Sequence, residues 1–437
     1  MRTLPATADV VVIGGGPAGS TAANALAQEG YAVVLLEKAV HPRPTVGESI
    51  LPFVWRYADL LGVTAELVAE DFLQKSGGTT VWDEAIQQMT FGHFDFDRPA
   101  LHVERDTFDD LFLRAAGRAG AQVFESVTVQ DVDLGGAGAN TVRYVDGTTG
   151  ARGTVTCSYL IDASGQGAVL GRQEGFREFD RDLRFMGVWG YFERTAYVAL
   201  GGGILPFDQR RTHPPTTLIT HLGDWGWCWH IVLRDCVSVG LVLPPEQYAS
   251  FKTLGSTLEG RFVQACQQAP LVADLLDFDT LIPGSVRALR DFAYYPRELA
   301  GDGWFLAGDA AAFVDPINSA GVMGAFHTGY MAALTVAEAL QHPARREVVT
   351  ARYAELLKGR LAVYRLTALP VGVNSYPEMH RYALQCIKQL SDEERELIYV
   401  QMKLIHRTEN LEPLYALDPL LPPLRSDRFH ELARLVA

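Results

Sequence analysis

Residues 8–38, ADVVVIGGGPAGSTAANALAQEGYAVVLLEK, decide the fold. Residues 10–13 form a continuous apolar run, the composition of a parallel strand buried on both faces. Gly14, Gly16 and Gly19 follow in G-x-G-x-x-G register, opening an Ala-rich helical stretch through Pro17 and Ala18. Residues 32–36 read as a second buried strand. In that setting Gly14 allows the tight turn, Gly16 lets the backbone approach a pyrophosphate, and Gly19 lets helix and strand pack closely. The helix N-terminus adds unpaired N–H groups and a partial positive charge for the phosphates. Glu37 ends the second strand, where a carboxylate accepts from ribose hydroxyls, so the ribose is unphosphorylated and the dinucleotide is FAD or NAD.

Outward from this segment, the 437 residues suffice for two or three cooperating domains. With 48% hydrophobic and 21% charged residues the chain reads as an ordinary folded protein. A net charge of -14 excludes unaided nucleic-acid binding, which needs a basic footprint. The cysteines (Cys157, Cys228, Cys236, Cys266 and Cys386) form no C-x-x-C pair and read as reduced thiols of a cytoplasmic protein. No signal-peptide pattern and no membrane-length apolar run are evident, so no membrane partner is expected. His93, His102, His221, His230 and His327 fall in no H-x-H or H-E-x-x-H pattern, and a structural role is expected for them rather than a metal.

Downstream, residues 102–124 read as strand, Arg105, amphipathic helix and strand, followed by an antiparallel meander into DASGQGAVLGR at 162–172. Residues 303–340 give a buried strand, Gly308-Asp309-Ala310, a loop and a long helix. Here the chain resembles the FAD monooxygenase superfamily of the hydroxybenzoate-hydroxylase type. The resemblance implies that the glycine loop holds the FAD diphosphate and that Asp309 holds the ribityl chain. The expected fold is α/β: a Rossmann-like FAD-binding domain (1–75, 100–180 and 290–345), an inserted antiparallel-sheet substrate domain (76–99 and 181–289), and a helical C-terminal region (346–437). Within that last region Ser391 and Glu394 sit at capping-box spacing.

Three stretches narrow the class. Gly47-Glu48-Ser49 lies in RPTVGESILPF, where Ser49 by itself reads as a helix cap. Lys75 precedes Gly77-Gly78, where a lone lysine ordinarily reads as a solvated charge at a helix end. The third, FVDPINSAG, spans 313–321. Taken together and in chain order, they resemble the flavin-dependent halogenases of the phenol or pyrrole type. Phe313, Pro316, Ser319 and Gly321 match that family's F-x-x-P-x-S-x-G motif. Trp227, Trp229 and Ile231 match W-x-W-x-I-P, with Val232 where the motif has proline.

The resemblance implies FADH2, O2 and chloride or bromide as co-reactants. A flavin hydroperoxide is attacked by the halide, and the hypohalous acid formed is directed by Lys75 onto an electron-rich arene. Lys75, Glu48 and Ser319 are the implied catalytic residues, and the backbone amides of Ala320 and Gly321 the halide site. Lys38, Gly47, Ser49, Arg105, Pro316 and Gly321 are added to the FAD contacts. Partial desolvation suits such a lysine, whose free amine is otherwise almost wholly protonated at neutral pH. Asn318 stands where halogenases of free tryptophan carry glutamate, which points to a phenol or pyrrole, free or bound to a carrier protein. A separate NAD(P)H flavin reductase is implied, in natural-product (antibiotic) biosynthesis. An NAD(P)H-dependent aromatic hydroxylase on the same fold stays open as the alternative, with a geranylgeranyl-reductase-type flavoprotein behind it.

The stretch DWGWCWHIVL, 224–233, places Trp225, Trp227 and Trp229 at alternate positions. Period-two spacing predicts all three on one face of a strand. In the family the matching Trp227, Trp229 and Ile231 wall the organic substrate off from the flavin.

Overall fold

The opening βαβ unit forms as its pattern predicts: Thr7–Ile13 is a strand, Pro17–Gln28 a helix and Val33–Leu36 a strand. The computed structural model describes residues 3–82, 85–91, 96–136, 138–181 and 183–368. The second strand starts at Val33 because the Ala32 amide is taken by the Asp9 carboxylate at 2.8 Å. Residues 10–13 pair in parallel with residues 33–36, all of them buried. Gln122–Phe124 pairs beyond Val33–Leu36, and Arg152–Asp162 lies on the other side of the first strand. Trp304–Leu306, from far down the chain, completes the parallel core beside Arg152–Asp162. Val127–Asp133 and Asn140–Asp146 form the antiparallel meander that feeds that long strand. This is the Rossmann-like α/β architecture expected for an FAD-binding fold.

A second sheet has seven strands, in the order Arg287–Arg290, Met186–Phe192, Val237–Leu243, Trp227–Val232, Thr216–His221, Gly77–Trp82 and Ala85–Thr90. It is antiparallel throughout except where Thr216–His221 meets Gly77–Trp82 in parallel. Alternation along each strand divides its faces. Trp227, Trp229 and Ile231 join the apolar cluster that runs through the first sheet. Cys228 and Val232 point the other way, onto Phe251 and Phe262 of the helices Tyr248–Thr253 and Leu258–Gln267.

Trp225 departs from the expected stripe. The strand begins only at Trp227, and Trp225 lies in the preceding turn, packed with the opposite cluster. The cause is Gly226, at φ +95°, which breaks the extended alternation. A Cβ there would lie 2.0 Å from the Val242 carbonyl oxygen.

The third sheet is small, with Ala100–His102 between Ser49–Ile50 and Leu73–Lys75. Ser49 is therefore a strand residue facing His102, not a helix cap; the following helix starts at Val54. The helices Gly321–Gln341 and Arg346–Ala368 close the described chain. Gly321–Gln341 crosses Pro17–Gln28 closely, since a Cβ on Gly329 would lie 2.2 Å from the Ala18 carbonyl oxygen. Ser391, Glu394 and the rest of 369–437, like His93, lie outside the described residues. Among the described residues no helix is long and apolar enough to cross a membrane.

Candidate active site

At the nucleotide end the backbone does the building. Gly14 sits at φ +101° against Ala163, and a Cβ on Gly19 would lie 1.9 Å from the Gly14 carbonyl oxygen. A Cβ on Gly16 would meet only the Arg43 guanidinium, at 3.5 Å, so this face of the loop is open to a ligand with a cation beside it. Pro17 opens the helix behind it with Ala18 buried in its first turn, a suitable end for phosphate. Glu37 is buried; its two oxygens accept the Gly15 amide at 2.6 Å and the Ala39 amide at 2.8 Å, and Lys38 beside it is exposed. Arg43, which sequence reasoning missed, carries no motif; only folding brings it over the glycines, 4.0 Å from Glu37 and 3.8 Å from Asp109.

Arg105 is buried and paired with both oxygens of Asp109, at 2.8 and 3.0 Å. Its remaining nitrogen donates to the carbonyls of Val46 (2.9 Å) and Gly47 (3.2 Å), which pins the loop before Glu48. Asp309 lies in the turn Gly308–Ala310, where burial pushes its carboxyl up to about 6 against the pull of Gln166 and Arg105. A cradle of close backbone, a cation at Gly16, a buried carboxylate at 37 and a half-buried one at 309 together fit a flavin dinucleotide.

The other end is built from side chains. Lys75, 5% exposed, donates from Nζ to Ser49 Oγ at 2.8 Å and lies 5.2 Å from the centre of the Phe91 ring. Burial alone brings its pKa down to about 7, because no carboxylate offsets the lost hydration. Ser319 Oγ donates to the same Ser49 Oγ at 2.9 Å, so the strand of Lys75 and the loop of FVDPINSAG converge on one hydroxyl. Glu48 points away from this hub: it accepts from Tyr191 Oη at 2.6 Å and from the Gly47 amide at 3.0 Å. Burial raises its pKa, with the Tyr191 hydrogen bond opposing.

In the 313–321 loop, Ser319 is held at φ +52° with its amide on the Pro316 carbonyl, at 3.0 Å. Ala320 caps the long helix and Gly321 begins it, so their amides lie at a helix N-terminus. The Phe313 ring lies over Gly321, where a Cβ would come within 3.1 Å. Asp315 is buried, one oxygen on the Ile317 amide at 2.9 Å, and its pKa is pushed up to about 7 by burial.

The face of the seven-stranded sheet turned toward these groups carries Trp227 and Trp229, with ring centres 6.0 Å apart, and Ile231. Trp229 lies flat across Gly240 of the next strand, where a Cβ would be 2.1 Å from the ring, and its Nε1 donates to Ser238 at 3.2 Å. Gly240 is a second missed residue; its sequence signal was a glycine interrupting the apolar run VSVGLVL. His102 and His230 are buried on hydroxyls, of Thr217 (2.8 Å) and Thr195 (3.0 Å), and the half-buried His327 meets the Tyr57 hydroxyl at 3.1 Å. Among the described residues no three metal-binding side chains come together.

Residues 7–195 match the FAD binding domain family. The chain is 32% identical over 398 residues to a tryptophan 2-halogenase of Chondromyces crocatus, covering 90% of this chain and 72% of that one. It is 34% identical over 359 residues to the flavin-dependent halogenase armH1 of Armillaria mellea, covering 77% of this chain and 66% of the relative. Its fold aligns with the myxobacterial chondrochloren halogenase CndH, an FAD-dependent halogenase, at a TM-score of 0.76 and 25% identity, over 99% of this chain and 97% of that one. A flavin-nucleotide fold, a buried amine joined to the F-x-x-P-x-S-x-G loop and likeness over nine-tenths of this chain agree, and the chain belongs to the flavin-dependent halogenases.

Proposed function

We propose that this halogenase uses Lys75 as the directing amine and installs chlorine or bromine on an electron-rich aromatic, a phenol or a pyrrole. The observation that carries the reading is the shared hydroxyl: Lys75 and Ser319 both donate to Ser49 Oγ, with Lys75 and Ser49 buried and Ser319 half-buried. When bound and reduced, FAD supplies the activation of O2 by which halide becomes hypohalous acid. The chain's own task is to hold, aim and contain. The Ala320 and Gly321 amides hold the halide, at a helix end that offers donors without competing acceptors. Ser319 orients Ser49, and Ser49 orients Lys75, whose amine gives up its proton around pH 7 rather than near the ordinary lysine value. Glu48 holds a proton more readily than an exposed glutamate does and anchors Tyr191 of the facing sheet.

FAD is held by Gly14, Gly16, Pro17, Ala18 and Gly19 at the diphosphate. Glu37 and Lys38 serve the ribose end, and Gly47, Ser49, Pro316 and Gly321 the ring end. Arg105 keeps the Gly47 loop in place, and Asp309 takes the ribityl hydroxyls. Trp227, Trp229 and Ile231 keep the arene away from the flavin. The domain division is that drawn from the sequence, with FAD bound by 1–75, 100–180 and 290–345. The thiols of Cys157, Cys228, Cys236 and Cys266 are free, which supports a reducing, cytoplasmic setting.

Asn318, exposed on the loop, favours a phenol or pyrrole over free tryptophan, delivered free or on a carrier protein. The Chondromyces crocatus relative, named for tryptophan, favours the second reading, an indole. Mass spectrometry of turnover products decides between them, using reduced FAD from a separate reductase, chloride or bromide, and a panel of phenols, pyrroles and indoles. A halogenated phenol or pyrrole is expected. Product from the indoles alone overturns the substrate class, and hydroxylated product formed without halide overturns the mechanism.

A further inference from the structure

Beyond Ser49 the polar chain continues inward. Ser49 Oγ lies 2.9 Å from Thr217 Oγ1, and Thr217 Oγ1 lies 2.8 Å from His102 Nε2. Thr217 is 4% exposed and His102 0%. The parts come from three places: Ser49 and His102 face each other in the small sheet, and Thr217 reaches across from the seven-stranded sheet. A hydroxyl and an imidazole so deep in the protein cost free energy unless each hydrogen bond is satisfied, and counting donors gives the chain a direction. Ser49 Oγ accepts from Lys75 and Ser319, which leaves its own O–H for Thr217. Thr217 accepts that proton and gives its own to His102 Nε2, which must then be the bare nitrogen of a neutral ring.

His102 fits that requirement. Burial first, then the charge on Lys75, keeps the ring uncharged; Nδ1 makes no hydrogen bond of ordinary geometry, and the Val232 backbone is the polar group that favours a proton on the ring. The titratable groups around the chain are Lys75, Glu48 on the strand side of Ser49, engaged by Tyr191, and His230 from the Trp227–Val232 strand. With the opposite tautomer every hydroxyl turns round. His102 donates to Thr217, Thr217 to Ser49, and the Ser49 O–H is sent toward Lys75, where it occupies the amine lone pair.

We propose that Thr217 and His102 are positioning residues for Lys75: acting through Ser49, they fix its amine as a donor toward the protein and leave its lone pair facing the oxidant. The inference rests on Lys75 being the directing amine. Thr217→Val keeps the shape and removes the hydroxyl, and Thr217→Ser restores it. In the full-length FAD-loaded protein, two quantities are read: the pH profile of single-turnover halogenation, and the titration of Lys75 by NMR of lysine labelled with carbon-13 at Cε. Lysine is scarce in this chain, and Lys75→Met identifies the signal.

Thr217→Val is expected to slow halogenation about tenfold at unchanged KM and to move the Lys75 titration, with Thr217→Ser close to wild type on both. A wild-type rate and an unmoved titration in Thr217→Val overturn the inference. A moved titration with an unmoved halogenation profile upholds the positioning and overturns Lys75 as the directing amine. Should Thr217→Val fail to retain FAD, His102→Gln, whose amide oxygen still accepts from Thr217, is compared with His102→Leu, which cannot accept. The Gln variant is expected to be the faster by about tenfold, and equal rates overturn the inference.

Discussion

The glycine loop and the Lys75 hub are made in opposite ways. The loop is backbone, packed so that a single Cβ at Gly19 would sit 1.9 Å from a carbonyl oxygen. The hub is side chains from positions 49, 75, 102, 217 and 319, joined by hydroxyls and all but Ser319 buried. On the proposed reading the first holds the cofactor, and at Gly14 and Gly19 it admits no added atom. The second, on the same reading, handles a reactive species and depends on proton placement, so atoms can be exchanged there without collapse while chemistry is lost. Binding and reactivity should therefore separate under mutation.

The sharpest attempt to break that separation is Gly19→Ala. The added carbon meets backbone that cannot give, so FAD affinity, read from flavin absorbance after gel filtration, should fall about 100-fold, equivalent to ~3 kcal/mol of overpacking. Unchanged flavin content would contradict the packing account.

Lys75→Met probes the hub by stability. Lys75 is protonated in both states below pH 7, where the folded protein bears the full cost of burying its charge. As pH rises from about 7 toward the unfolded lysine value, the folded state gives up its proton first and wild type gains stability. The methionine variant should exceed wild type by a few kcal/mol in the acid range, on the order of one per pKa unit, and by little near pH 10. Denaturant melts of both proteins across that range check it, and an advantage independent of pH would contradict a buried titrating amine.

Gly240→Ala pushes Trp229 off its seat. A loss of about 1–3 kcal/mol is expected, together with more peroxide released per halogenated product. A melting point and coupling both equal to wild type would remove Trp229 from the wall. The smallest effect is expected of Ser319→Ala, which deletes one hydroxyl bond to Ser49, worth about 1 kcal/mol. It should slow halogenation several-fold and leave FAD content intact; loss of flavin instead would move Ser319 from the hub to the cofactor site.

The same contrast explains what the sequence disclosed. The glycine spacing, the buried runs on either side and Glu37 are neighbours in the chain, so the Rossmann-like unit is legible from 31 residues. Lys75 and Ser319 are singled out by resemblance alone, since a lysine beside a glycine pair carries no local sign that it will be buried. Thr217, His102 and Arg43 gave no sign either, because their partners lie 168, 115 and 66 positions away at Ser49, Thr217 and Asp109. Trp225 was misread for a local reason, a left-handed glycine inside an alternating pattern. Ser49 was misread because its cap-like context is overridden by pairing with His102.

The central claim is that the buried amine of Lys75, and not the flavin site as a whole, makes the halogenated product. Single turnover of Lys75→Ala loaded with reduced FAD, in air-saturated buffer with bromide and a reactive phenol, tests it directly when halogenated product and hydrogen peroxide are measured together. The account predicts wild-type flavin content, undiminished peroxide and halogenated product reduced at least about 100-fold. Halogenation by that variant at a rate close to wild type would contradict it.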